Sequence, residues 1–193
     1  MDYFSKIRIT REAYLKLRYY TECCDTEISG LGKVRETPDG FEIYSIEILD
    51  QNVSFAHSSL DAESLAKFLY EKLRNNEKIK DYKVWWHSHV YMDSYFSPID
   101  DRTINGSTEF PYLISIVTNK MKKDLIRLDL HKPFRLTIPI EKLEIILEDD
   151  EYLKNQCLKE IEEKVKTRLP MSILRGKKRK NVYLSHRKKL KKS

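Results

Sequence analysis

The 193-residue chain is predicted to fold as a mixed α/β domain, a mixed β-sheet sandwiched by helices. Three observations carry this expectation. Short alternating segments interleave with segments of helical period. Tyr112–Thr118 is a near-continuous apolar run, as a central strand covered on both faces requires. Hydrophobic residues make up 40% of the chain, enough for one core.

The elements follow in order. Lys6–Thr10 alternates and reads as a short strand. Ala13, Leu17, Tyr20 and Cys24 then recur on one face of an amphipathic helix. Glu27–Arg35 is extended, and Gly30 and Gly32 let a backbone or ligand approach closely. Pro38-Asp39-Gly40 turns the chain into Phe41–Leu49, with Tyr44, Ile46 and Ile48 on one face, which closes a hairpin. A polar stretch, Asp50–Ser59, leads to a second helix from near Asp61 with Leu65, Phe68, Leu69 and Leu73 facing the core. Tyr82–His89 is an aromatic-rich strand. Leu125–Leu130 alternates, and Arg135–Leu147 adds one or two edge strands around Pro139.

Residues 148–169 read as a helix with an acidic first turn (Glu148, Asp149, Asp150, Glu151) and a basic end (Lys164, Lys166, Arg168), a pattern that complements the helix dipole. Leu153, Cys157, Ile161, Val165 and Leu169 step by four along it, and Pro170 stops it. The expected organisation is therefore a domain over 1–147, a C-terminal helix over 148–170 and a basic tail over 171–193.

Charge divides the same way. The formal net charge is +6, yet residues 171–193 hold ten Lys and Arg and no acidic side chain, which leaves 26 basic against 30 acidic groups in the rest. The tail is suited to contact nucleic acid or another acidic partner, or else to remain a solvated extension. No run of about 18 apolar residues exists, which argues against a membrane span. The N-terminal stretch alternates too early for a signal peptide, and three cysteines, two of them adjacent, imply no disulfide framework. A cytoplasmic location is the expectation. Cys24 and Cys157 are expected to pack as small hydrophobes.

The chemistry concentrates in Trp85–Asp100. His87 and His89 are two apart on an expected strand, so both imidazoles point to one face and can converge on one metal ion. Asp100 is placed to supply a third ligand after the intervening loop. Two imidazole nitrogens and a carboxylate leave a fourth tetrahedral position open to water, as in catalytic zinc sites. Trp85 shares the histidine face and either packs in the core, the favoured reading, or walls a pocket. Ser97-Pro98-Ile99-Asp100 also reads as a helix start, with Ser97 as N-cap and Pro98 at the first helical position. Neither a Cys-x2-Cys pair nor the His-x-Glu element of the zinc deaminases is present. His57, His131 and His186 are scattered and receive no role.

The spacing His-x-His-x7-Ser-x2-Asp resembles that of the JAMM (MPN-plus, JAB-domain) zinc metalloprotease family, and Glu27-Ile28-Ser29-Gly30-Leu31-Gly32 resembles its upstream glutamate strand. The resemblance covers roughly residues 5–147. It implies an MPN/JAB-like, cytidine-deaminase-like core holding one zinc ion per chain through His87, His89 and Asp100. It further implies Glu27 as general base and then general acid, and Ser97 as hydrogen-bond donor to the oxyanion of the tetrahedral intermediate. The implied activity is hydrolysis of a peptide or isopeptide bond in a protein or peptide substrate, including the C-terminus of a ubiquitin-like protein. Val90 stands where eukaryotic relatives have proline, and the tandem aromatics and the Asp100-Asp101 pair look more like compact prokaryotic and bacteriophage members. The alternative is a non-catalytic MPN-like scaffold or binding module that uses the tail.

Overall fold

The computed structural model describes residues 6–54, 57–58, 62–140, 145 and 151–167; the expected 171–193 tail, with Leu169 and Pro170, lies outside the described residues. The strands and helices are β1 (Ile7–Ile9), α1 (Arg11–Cys23), β2 (Ser29–Thr37), β3 (Gly40–Ile48), β4 (Gln51–Ser54), β5 (His57–Ser58), α2 (Ala62–Arg74), β6 (Tyr82–Ser88), α3 (Pro98–Gly106), β7 (Tyr112–Thr118), β8 (Leu125–Leu130), β9 (Leu136–Ile140), α4 (Glu151–Lys164) and β10 (Val165–Thr167). Seven strands form a mixed sheet in the order β1-β3-β2-β6-β7-β8-β9. β1/β3 and β6/β7 pair in parallel and the other neighbours are antiparallel. The molecule is thus mixed α/β.

Every residue of β7 is buried, because this strand lies inside the sheet with helices on both sides. On one face, α1 and α4 cover Trp86, Ile114, Ile116 and Leu128, each wholly or almost wholly buried. Tyr20 of α1 stacks on Trp86 with ring centroids 5.8 Å apart, and its hydroxyl donates to Glu160 of α4 at 3.0 Å. Burying side chains of this size is worth about 1.5–3 kcal/mol each, so this layer is the main source of cohesion. Ala13, Leu17, Tyr20 and Cys24 are all buried, as their spacing requires, and Cys157 packs in the same core.

The other face carries α2 and α3. Phe68 of α2 meets Tyr82 edge-on, and Lys72 pairs with Glu47 of β3. Asp101 of α3 pairs with Arg127 of β8 at 2.7 Å. The expected apolar stripe of α2 is only half-buried, and Leu73 is exposed, because the helix sits over charged groups (Lys33, Glu47, Glu77) rather than over a second core.

Three expectations need correction. Tyr44 does not share a face with Ile46 and Ile48. A bulge between Lys33 and Val34 sets Val34 against Ile43 and Lys33 against Ser45, so Phe41 and Ile43 join Ile46 and Ile48 in the core. Tyr44 instead donates its hydroxyl to Asp81 at 2.9 Å. Secondly, the last helix is shorter than 148–169: it ends at Lys164, and Val165–Thr167 pairs in parallel with β4. Thirdly, part of the stretch read as a polar connector, Gln51–Ser54 and His57–Ser58, is strand in that small sheet, order β10-β4-β5. Pro139 lies in β9 at the edge of the large sheet, where its missing N–H costs no interior ladder bond. Among the described residues no helix is long and apolar enough to cross a membrane.

Candidate metal centre

The site forms where the central strands end. β6 runs parallel to β7 with His87 beside Val117 and antiparallel to β2 with His87 beside Ser29. His89 lies one residue past the end of β6. Its N–H donates to Thr118 O at 2.9 Å, and Lys120 N–H donates to Val90 O at 2.8 Å, so the parallel alignment continues into the loop. Val90 then turns away with φ of 50°, an uncommon value for a β-branched residue that these flanking bonds impose.

His87, His89 and Asp100 converge. One ligand atom from each lies within 4.8 Å of the others, and all three residues are buried. The Nε2 atoms of the histidines are 3.1 Å apart, and His87 Nε2 lies 3.7 Å from Asp100 Oδ2. This donor set suits a metal ion: two imidazoles and a carboxylate aimed at one point, with protein excluding water from behind. The chain fixes the required tautomer of His89, because its Nδ1–H donates to Asp93 O at 2.8 Å and leaves the Nε2 lone pair free. Burial lowers the His87 pKa to about 4; the Asp100 charge opposes that shift and His89 adds to it. At neutral pH His87 is therefore uncharged and able to ligate.

Asp100 is held by the helix start that its sequence announces. Ser97 caps α3: its Oγ accepts from Asp100 N–H at 3.3 Å, while Ser97 N–H donates to Asp100 Oδ2 at 2.6 Å. The capping and ligand readings of this segment are thus compatible, since the reciprocal bonds aim the carboxylate. As acceptor in the cap, the Ser97 hydroxyl still has its own proton to donate.

Glu27 precedes β2. Ser88 N–H donates to Ile28 O at 2.8 Å, and Ile28 N–H donates to Ser88 Oγ at 3.1 Å. Ser29 lies opposite His87, and half-buried Glu27 sits two residues before it, next to the Ile28–Ser88 bonds.

Several supporting residues carried no sequence signal. Gln51 completes the strand edge beside Ser29, accepting from Ser29 N–H at 3.0 Å and donating to Ser29 O at 2.8 Å. Arg18, 4% exposed, donates to Thr118 Oγ1 at 2.8 Å and Asn119 O at 2.9 Å, and pairs with Asp124 at 3.3 Å. Asn119 Nδ2 in turn donates to Met92 O at 2.9 Å, which locks the loop after His89. Trp85 is not in the core. It lies half-buried against His87, ring centroids 4.9 Å apart, while its neighbour Trp86 takes the core position on the opposite face. Tyr95 covers His89 edge-on at 4.7 Å.

No protein-family model matches this chain, and no curated protein matches it. Among solved structures the chain is similar to the solution structure of protein DSY2949 from Desulfitobacterium hafniense. The identity is 19% and the TM-score 0.49, with 74% of this chain and 96% of that chain covered.

Proposed function

We propose that the chain is a zinc-dependent metallopeptidase or isopeptidase of the JAMM/MPN-plus type, built on an MPN/JAB-like core. The observation that carries this reading is the convergence of His87, His89 and Asp100 at the end of β6, with Glu27 one residue before the Ile28–Ser88 bonds that tie the chain ahead of β2 to that end. Zinc bound there would lower the pKa of a water molecule and polarise the scissile carbonyl.

The remaining work falls to the chain. The Glu27 carboxylate takes a proton from the attacking water and returns it to the leaving amine, a role usually worth about 10²–10⁴-fold. The Ser97 hydroxyl donates to the carbonyl oxygen as it gains charge, while its lone pair keeps Asp100 aligned. Trp85 and Tyr95 shield the two imidazoles from water, which strengthens electrostatic interactions within the site. The substrate class is a peptide or isopeptide amide.

The test is elemental analysis of wild type beside His89→Ala after zinc reconstitution. About one zinc per chain is expected in the wild type and a large loss in the variant. A wild type that holds no zinc overturns the proposal.

A further inference from the structure

His87 and His89 differ in how their far nitrogens are treated. His89 Nδ1 has a carbonyl partner, Asp93 O. Among the described residues His87 Nδ1 is buried without any hydrogen-bond partner, and so is Ser29 Oγ. Ser29 is 1% exposed and His87 6%. These two residues are register mates across β2 and β6. The N–H and C=O of Ser29 both turn away from β6 to the Gln51 amide. Ser29 and His87 therefore form a pair not joined by ladder bonds, the close kind, with Cα atoms about 4.5 Å apart and side chains on one face.

We infer that Ser29 is the positioning residue for His87: its hydroxyl accepts the Nδ1–H of the imidazole when Nε2 is given to the metal. The inference rests on the metal-site reading above. The chemistry is a matter of proton placement. At 3.1 Å from His89 Nε2, which bears no proton, His87 can hold its proton on Nε2 and donate it to that neighbour. Metal binding takes Nε2, so the proton must sit on Nδ1, where burial demands an acceptor. The register mate is in place to supply it. Rotation of Ser29 about its Cα–Cβ bond between staggered positions moves the hydroxyl without moving the backbone that Gln51 holds. The outcome pairs two otherwise orphaned atoms at once and gives His87 the outer partner that His89 already has.

The experiment compares wild type with Ser29→Ala. Zinc affinity is measured by competition with a chromogenic chelator, and the thermal midpoint is measured on both metal-free chains. Ser29→Ala should bind zinc about 10- to 100-fold more weakly, the usual scale for an outer partner of a ligating histidine. Its metal-free midpoint should be equal or higher, since the hydroxyl it removes has no partner in that state. A second readout uses the wild type alone. In the zinc-loaded chain, nitrogen-15 NMR should find the His87 Nδ1–H protected from exchange and close to the Ser29 β-protons. Equal zinc affinity in the two chains, or an unprotected Nδ1–H, overturns the inference and leaves the metal site standing. A wild type that binds no zinc overturns both.

Discussion

The Nε2 atoms of His87 and His89 meet at 3.1 Å although only His87 lies within β6. Alternation along the strand puts both side chains on one face, but His89 has left the ladder with β2 and is held by Thr118 O and Asp93 O instead. One candidate ligand thus comes from a rigid strand and the next from a loop fastened by β7. The three side chains are thus aimed together by the fold itself, and the buried His87 imidazole makes the metal-free form sensitive to acid.

That sensitivity gives a pH prediction for the metal-free chain. His87 has a pKa of about 4 in the folded state, against 6.5 for an ordinary histidine, chiefly because burial opposes its charge. The unfolded chain takes up this proton first, so the stability is fully present above about pH 6.5 and is lost as pH falls towards 4. The loss amounts to about 3 kcal/mol over that window. Urea unfolding of wild type and His87→Asn at several pH values checks it. The wild type should lose more stability between pH 6.5 and 4 than the variant, and parallel curves would refute the assignment.

Glu27→Gln separates chemistry from metal binding. The change keeps shape and hydrogen-bonding reach but removes the carboxylate that accepts a proton. Zinc content should match wild type, while hydrolysis of peptide amides or ubiquitin-like C-terminal amides should fall about 10²–10⁴-fold. Full activity in the variant would remove Glu27 from the mechanism.

Gly30 and Gly106 predict opposite outcomes on substitution by alanine. A Cβ at Gly30 would lie 2.1 Å from Glu47 O and 2.6 Å from Trp86 Nε1, breaking the 3.2 Å bond between them or pushing β3 away. A Cβ at Gly106 meets nothing within 4 Å. Gly30→Ala should therefore cost about 1–3 kcal/mol, as overpacking does. Gly106→Ala should be neutral or stabilise by up to about 1 kcal/mol. Urea midpoints of the two variants decide it, and equal midpoints would contradict the close approach.

The candidate site was legible because its positions are local: His87, His89, Ser97 and Asp100 lie within fourteen residues, on a strand end and a helix start whose residue types announce them. The central strand Tyr112–Thr118 was legible because burial on both faces favours apolar choices at most of its positions. What escaped depends on distant pairing. Gln51 reads as polar loop until β2 is present for its amide to satisfy. Val165 continues the apolar step of α4, yet it pairs with Gln51 in a parallel ladder that no local pattern encodes. Trp85 and Trp86 are identical in composition, and only the sheet phase decides which is buried. Asp93 acts through its carbonyl, which carries no residue signature at all.

Ser97 is assigned two tasks by different parts of one hydroxyl, and substitution can part them. Its lone pair caps α3 through Asp100 N–H, and in the proposed mechanism its proton would go to the substrate carbonyl. Ser97→Ala removes both: stability should fall by about 0.5–2 kcal/mol, the usual cost of a lost N-cap. Turnover should fall about 10²–10³-fold, the scale for one lost oxyanion donor. Ser97→Asp restores an acceptor for Asp100 N–H but has no proton to give when ionised. Its stability should return to near that of wild type while turnover stays low. Should Ser97→Asp recover turnover along with stability, then the hydroxyl acts only by holding Asp100 in line, and oxyanion donation belongs to another group.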